Sequence, residues 1–93
     1  MRIIGYIQHP RMKITVFKTD TRLSVKFEAG LLEQTYKFNR QNGLDGLKEV
    51  QQIIDEEFSN EVESQFQHLE RYRSAALTKH FPEPLSDEFD EII

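Results

Sequence analysis

The sequence predicts an α+β fold, a four-stranded antiparallel β-meander followed by two C-terminal helices (order ββββαα) and an acidic tail. Two observations support this prediction. Across residues 2–38, runs of alternating apolar and polar residues are separated by short turn sequences, as in half-buried antiparallel strands. Across residues 44–79, apolar residues recur every three or four positions, which is the period of an amphipathic helix. The 93 residues suffice for one domain, which we expect at 1–80, with the tail at 81–93.

The first strand candidate covers residues 2–8 and carries apolar side chains on both of its alternating faces. The apolar positions of the two parities are Ile3, Ile4, Tyr6 and Ile7. We expect either that both faces of this strand are covered or that Gly5 marks a β-bulge. Pro10 ends the run, because it fixes its own φ angle and pushes His9 to an extended conformation.

Three further strand candidates cover residues 13–19, 22–28 and 31–38. Thr19–Thr21 and Ala29–Gly30 have the residue types of tight turns, so each strand is expected to pair antiparallel with the next. The alternation assigns one apolar face to these strands. The residues predicted to face the core are Met12, Ile14, Val16, Leu23, Val25, Phe27, Leu32, Tyr36 and Phe38, with Gln34 among them.

The Asn and Gly residues of "NRQNGLDG" end the predicted sheet. The spacing of apolar residues then predicts two helices, at residues 44–58 and 61–79. Asn60 and Glu63 match a capping box, which favours a break between the helices at that point over one continuous helix. The two apolar stripes are Leu44, Leu47, Val50, Ile54 and Phe58 in the first helix, and Val62, Phe66, Leu69, Ala76 and Leu77 in the second.

Charge is distributed unevenly along the chain. The net charge is -4 at pH 7, but residues 1–43 carry eight Lys and Arg against three acids, whereas residues 44–93 carry four against thirteen. A basic half of this kind can bind a polyanion, or it can attract the acidic half of the same chain. No apolar run approaches the ~20 residues that span a bilayer, and the N-terminus lacks a signal-peptide core. We therefore expect a cytoplasmic protein with no membrane partner.

The chain contains no recognised catalytic or metal-binding motif, and we interpret the paired carboxylates of the helices, such as Asp55–Glu57, as solvated side chains. The chain has no Cys, which excludes disulfides, thiolate nucleophiles and Cys-based zinc sites. His68 and His80 lie twelve residues apart, too far to share a metal ion from one helix. No Ser lies in a G-x-S-x-G sequence, and the four Gly form no phosphate-binding loop. We expect a protein without catalytic activity and without a cofactor.

The polar face of the predicted sheet is basic and includes an aromatic residue, which is the chemistry of a platform for single-stranded nucleic acid. The order of four strands and a helix is similar to that of PUR-type and Whirly-type nucleic-acid-binding domains, although the residue motifs of neither family are present. The alternatives are a face that meets only water and a face that meets a protein partner. The candidate nucleic-acid face comprises Lys13, Phe17, Arg22, Lys26 and Lys37.

The second predicted helix carries large side chains that a small domain can bury against itself or use to bind a partner. A short chain without disulfides often gains stability by burying more surface in a dimer. We therefore expect a non-catalytic protein-interaction module that forms a homodimer. The alternatives are single-stranded nucleic-acid binding and a small regulatory protein whose acidic helices block a basic target. The candidate contact residues are Phe66, Leu69, Tyr72 and Arg73.

The tail has apolar residues at the spacing of one helix face, and Ser86 can cap such a helix. About nine residues are too few for a stable isolated helix. We expect the tail to be mobile in the free monomer and to order only when its apolar face docks into a groove, with the basic half as acceptor. The alternative is a tail that only keeps the protein soluble. The candidate docking residues are Leu85, Phe89, Ile92 and Ile93.

Overall fold

The computed structural model describes residues 1–81 and confirms the predicted α+β class. Its elements are β1 Arg2–Ile7, β2 Lys13–Lys18, β3 Arg22–Ala29, β4 Leu32–Asn39, α1 Leu47–Ile53 and α2 Glu56–His80. The four strands form one antiparallel sheet in the order β1-β2-β3-β4, so each strand pairs with the next along the chain. The candidate docking residues of the tail lie outside the described residues: Leu85, Phe89, Ile92 and Ile93.

The core lies between one face of the sheet and the two helices. Six of the nine residues predicted to face the core are buried, and Leu32, Tyr36 and Phe38 pack half-buried against them. The prediction of the inner face is therefore confirmed. The buried apolar side chains from the helices are Val50 in α1, and Val62 and Phe66 in α2.

A β-bulge is present in β1. This is one of the two alternatives that the sequence left open for the strand. Ile3 is opposite Phe17 and Gly5 is opposite Val16, the preceding residue of β2, so Ile4 is the extra residue. Successive residues of a strand face opposite sides of the sheet, and an extra residue shifts this alternation by one. The bulge therefore places Ile3 and Tyr6 on the same outer face, pointing away from the helices.

Gly5 is also a point of close approach between β1 and α1. A Cβ atom at Gly5 would lie 3.2 Å from Cδ1 and 3.3 Å from Cγ of Leu47, and closer still to Cδ2. Because glycine has no side chain, Leu47 can pack directly on the strand. This contact holds α1 over the β1 side of the sheet.

The break between the two helices lies at Asp55, which is the N-cap of α2. The Asp55 carboxylate accepts a 2.9 Å hydrogen bond from the backbone N–H of Phe58. Glu56 and Glu57 occupy the first turn of α2, where the helix dipole favours negative charge. A side-chain cap followed by two acids is therefore the local reason why the second helix begins here.

The capping box predicted for Asn60 and Glu63 is wrong, since both residues lie inside α2. Glu63 instead binds Arg11 in the β1–β2 connection. Arg11 Nη2 donates a 2.9 Å hydrogen bond to Glu63 Oε1, and Arg11 Nε donates to Oε2. Because these bonds stabilise the carboxylate, the pKa of Glu63 is lowered from its usual value. The pair ties the first half of α2 to a loop of the sheet.

A polar side chain on the inner face of the sheet positions α2. Gln34 Nε2 donates a 3.0 Å hydrogen bond to the carbonyl of Val62, and Gln34 Oε1 accepts a 2.5 Å bond from the Tyr36 hydroxyl. The Tyr36 ring packs edge-on against Phe27 and Phe58, with ring centroids 5.9 and 5.2 Å away. These contacts fix α2 against β3 and β4.

The second helix extends beyond the sheet. Its 25 residues make it about 37 Å long, and its buried residues, Ser59, Val62 and Phe66, all lie in the first half. Leu69 is the last residue of α2 that packs against the core. The described part of the chain is accordingly elongated, with extents of 54 × 25 × 24 Å. Residues 70–81 are called the projecting end of α2 below.

Candidate interaction surfaces

The outer face of the sheet is formed by the strand side chains that point away from the helices. It is apolar on β1 and carries its charged side chains on β2, β3 and β4. Strand register arranges these side chains in two rows: Ile3–Phe17–Ser24–Lys37 and Tyr6–Thr15–Lys26–Thr35. Ile3 and Tyr6 are 50% and 52% exposed. In the described part of the chain, no helix packs on this face.

All five residues predicted for the nucleic-acid face lie together on this outer face: Lys13, Phe17, Arg22, Lys26 and Lys37. The sequence alone does not assign Ile3 and Tyr6 to the same surface, because the facing of β1 depends on the bulge. The available signal was the presence of apolar residues on both parities of that strand.

The outer face has an excess of positive charge. Lys26 Nζ lies 5.9 Å from the centre of the Phe17 ring and 3.9 Å from Glu33 Oε1, so this cation has both an aromatic and an acidic neighbour. Glu28 is the second carboxylate on the face. Within residues 1–81, three other cations on the face have no carboxylate oxygen within 4.0 Å: Lys13, Arg22 and Lys37.

Basic residues outside this face do bind acids of the second half of the chain. Asp45 pairs with Arg40 and lies 3.6 Å from Lys18 Nζ. The pKa of Asp45 is lowered, mainly because Arg40 donates a hydrogen bond to it. Together with the Arg11–Glu63 pair, these contacts support an attraction between the two halves of the chain. The cations of the outer face take no part in these three contacts.

A cavity of about 420 Å³ at the end of the β2–β3 hairpin is lined by residues that include Arg2, Lys18 and Arg40. Arg40 Nη1 donates hydrogen bonds of 3.1 and 2.9 Å to the backbone carbonyls of Thr19 and Asp20. Carbonyls in a hairpin tip have few other donors, and the Arg40 guanidinium satisfies two of them. Arg40 therefore closes the tip of the hairpin at the wall of this cavity.

Two of the three histidines have local partners. His9 Nδ1 accepts a 3.1 Å hydrogen bond from the backbone N–H of Arg11, and His9 Nε2 lies 3.7 Å from Glu63 Oε1. His68 Nδ1 lies 2.6 Å from Arg71 Nη2. In the part of the chain that the structure describes, no group of three His, Cys, Asp or Glu side chains could hold a metal ion.

The projecting end of α2 exposes large apolar side chains. Tyr72, Leu77 and Phe81 are 72%, 48% and 74% exposed. Leu77 continues the three- and four-residue spacing that places Val62 and Phe66 in the core. Tyr72 lies beside this stripe, and Phe81 follows the helix at its C-cap. The apolar spacing of α2 therefore continues past the edge of the sheet, interrupted by Arg73 between Leu69 and Leu77.

The residues predicted to contact a partner have different environments. Phe66 is 7% exposed and belongs to the core, which leaves it little surface for a partner. Leu69 is half-buried at the edge of the core, and Tyr72 is exposed. Leu77 is not among the predicted contact residues. Its place in the apolar stripe of the second helix was the signal that could have identified it.

Arg73, the fourth predicted contact residue, is bound to Glu70 on the preceding turn. Its Nε and Nη2 each donate a 3.0 Å hydrogen bond to the Glu70 carboxylate. Ser74 Oγ donates a third bond of 2.7 Å. The hydrogen bonds from Arg73 and then Ser74 lower the pKa of Glu70 to about 2. This turn of the projecting end therefore carries a neutralised ion pair.

No helix within residues 1–81 is both long enough and apolar enough to cross a membrane. Comparison with protein-family models, with curated proteins and with solved structures found no match to this chain. Within residues 1–81, two exposed surfaces are candidates for a functional contact: the outer face of the sheet and the projecting end of α2.

Proposed function

We propose that this chain is a non-catalytic protein-interaction module that forms a homodimer through the projecting end of α2. The observation that supports this proposal is the exposure of Tyr72, Leu77 and Phe81 on a helix that extends past its own core. Full burial of a large apolar side chain contributes about 1.5–3 kcal/mol. A second copy offers the same surface, so one two-fold contact covers these side chains on both chains.

The residue pattern of α2 from Leu69 to its C-terminal end favours an antiparallel pair of helices. Leu69 and Tyr72 lie where the helix leaves the sheet, whereas Leu77 and Phe81 lie at its far end. The smaller Ala76 lies between these two groups and allows the helices to approach closely. An antiparallel pair places the far end of each helix against the near end of the other, so large side chains meet at both ends of the contact.

Light scattering on the full chain tests the dimer. We expect about twice the mass of one 11.0 kDa chain at high micromolar concentration. Leu77→Glu should reduce the mass towards that of one chain, because it places a charge in the contact. The matched control is Thr78→Glu, an exposed position about 100° further around the helix, which should keep the wild-type mass. A wild type with the mass of one chain throughout would overturn the proposal.

A second candidate function is the binding of single-stranded nucleic acid by the outer face of the sheet. The observation that favours it is the bulge in β1, which adds Tyr6 to Phe17 on a surface with four cations. Bases stack on aromatic side chains, and phosphates bind Lys and Arg. The outer face offers both groups within one plane.

Fluorescence anisotropy with labelled single-stranded oligonucleotides tests this second candidate. Binding should weaken steeply as salt is added, and the double variant Lys13→Glu/Lys26→Glu should lose it. The matched control Lys48→Glu/Arg71→Glu changes the net charge equally at exposed positions away from the face, and it should bind as the wild type does. A wild type that does not bind at low salt would eliminate nucleic acid as the ligand.

A further inference from the structure

We infer that the C-terminal segment of one copy, residues 82–93, binds the outer sheet face of the other copy in the dimer. This inference rests on the homodimer proposed above and adds a second contact to it. The acceptor is the surface around Tyr6 and Phe17, with the cations of Lys26 and Lys37 beside them. The dimer would then have two kinds of interface, one between helices and one between a segment and a sheet.

The chemistry of the segment complements that of the outer face in two respects. The segment carries five acids and no base, whereas the face has four cations against two carboxylates. The segment also carries large apolar residues, and the β1 side of the face exposes Ile3 and Tyr6. A nucleic acid would match the cations and the rings but would leave the aliphatic Ile3 without a partner. The apolar residues of the segment are Leu85, Phe89, Ile92 and Ile93.

The length of the segment favours binding in trans. The segment begins after Phe81, and a return along its own helix from His80 to Leu69 covers about 17 Å. Twelve residues span at most about 40 Å, so binding in cis would use nearly half of that length before the segment reached its own sheet. In the antiparallel dimer, Phe81 lies beside Leu69 of the other copy, and the whole segment is available to reach the other sheet.

The approach to the face has a defined side. The first half of α2 packs against β4, which is an edge strand of the sheet. A segment that starts beside this helix in the other copy passes around the β4 edge and meets the charged strands of the face, β4 and then β3, before it reaches β1. The acids of the segment therefore meet Lys37 and Lys26 before its last apolar residues reach Phe17 and Tyr6.

Paramagnetic relaxation in a mixed dimer tests the contact. The chain has no Cys, so the variant Asp90→Cys can carry a single spin label. Wild-type chain that is enriched in ¹⁵N and carries no spin label is mixed with spin-labelled chain that is not enriched in ¹⁵N. Only contacts between copies then broaden the ¹⁵N amide signals. We expect broadening at Tyr6, Phe17 and Lys26 of the outer face, and much less at Lys48, which lies in α1 on the other side of the sheet.

A matched pair of variants of the labelled chain gives the segment its own control. Phe89→Asp should remove the broadening, because it places a charge in the apolar contact. Ser86→Asp adds the same charge outside the apolar set and should keep the broadening. Both variants should keep the mass of two chains, because the helix contact is unchanged.

The outcomes separate this inference from the dimer on which it rests. A mass of two chains without broadening at the outer face would overturn the inference and leave the dimer intact, whereas a mass of one chain would remove both. Broadening only when the spin label and ¹⁵N are on the same chain would overturn it by placing the contact in cis. Outer-face signals that shift with a single-stranded oligonucleotide, and are never broadened by the segment, would assign the face to nucleic acid instead.

Discussion

Gln34 in β4 and Val62 in α2 are joined across the core by a 3.0 Å hydrogen bond from the side-chain amide to the backbone carbonyl. The amide oxygen of Gln34 accepts from the Tyr36 hydroxyl in turn. A polar side chain on an apolar face is costly unless its groups have partners, and here both the donor and the acceptor have one. The bond therefore fixes the position of α2 along β4.

Replacing Gln34 by Ala should lower the free energy of unfolding by about 1–3 kcal/mol, because the Tyr36 hydroxyl loses its half-buried acceptor. The control Thr35→Ala changes the next residue of the same strand, which is exposed on the outer face, and it should change stability by no more than about 0.5 kcal/mol. Urea denaturation measures both. Equal losses would contradict a specific role for the Gln34–Val62 bond.

Phe27 should contribute far more to stability than Phe17, because Phe27 is fully buried and Phe17 is half-buried on the outer face. Phe27→Ala should cost about 3–5 kcal/mol, which is a large part of the 5–15 kcal/mol that typically stabilises a domain. Phe17→Ala should cost clearly less. Thermal and urea unfolding of both variants, followed by circular dichroism, provide the comparison, and the reverse order would be inconsistent with the strand register.

The N-cap of α2 can be tested against the position that the sequence pattern favoured. Asp55→Ala removes the acceptor for the Phe58 N–H and should cost about 0.5–2 kcal/mol. Asn60→Ala lies inside the helix and should be neutral or slightly stabilising, because Ala has the higher helix propensity. Urea midpoints of the two variants measure the difference. A larger loss for Asn60→Ala would place the helix start where the sequence predicted it.

The Glu70 carboxyl should titrate with a midpoint of about 2, because Arg73, and to a smaller extent Ser74, donates hydrogen bonds to its ionised form. Carbon-detected NMR of the side-chain carboxyl follows this titration. Arg73→Gln should raise the midpoint towards the usual 4.5, whereas Arg71→Gln, whose wild-type guanidinium contacts His68, should leave it in place. A midpoint that both variants shift equally would mean that general charge, and not the Arg73 bonds, sets this pKa.

The same direction of shift predicts how stability depends on pH. Asp45, Glu63 and Glu70 all have pKa values lowered in the folded chain, so the unfolded chain takes up protons at higher pH than the folded one. Their contribution is complete above the unfolded pKa values and is lost as pH falls through the folded ones. The urea midpoint should therefore fall between about pH 5 and pH 2, and it should fall less steeply in Arg73→Gln.

The inner face of the sheet follows from the sequence because side chains of a strand alternate strictly. Leu23, Val25 and Phe27 occupy every second position between two turn sequences, and this pattern leaves one possible face for the core. The five residues of the candidate nucleic-acid face are predictable as neighbours on the outer face for the same reason. Burial of the first helix is predictable as well, since the spacing that includes Val50 and Ile54 sets one face of that helix.

The helix break and the facing of β1 are harder to predict, because each depends on a choice between two local solutions. Asp55 and Asn60 are both good N-cap residues, and the choice depends on tertiary contacts such as the Glu63–Arg11 pair, 52 residues apart in the sequence. The bulge lies next to Gly5, where Leu47 of α1 packs on the strand. Neither contact can be derived from the local pattern alone.

The bulge in β1 also has a consequence for aggregation. β1 lies at the edge of the sheet and exposes Ile3 and Tyr6, and a long, flat, apolar edge strand recruits the edges of other chains into fibres. β1 has only six residues, and the extra residue Ile4 bends and twists the strand near its middle. A second edge can then pair in register over only a few residues, so the irregularity that turns Tyr6 outward also opposes open-ended growth from this edge.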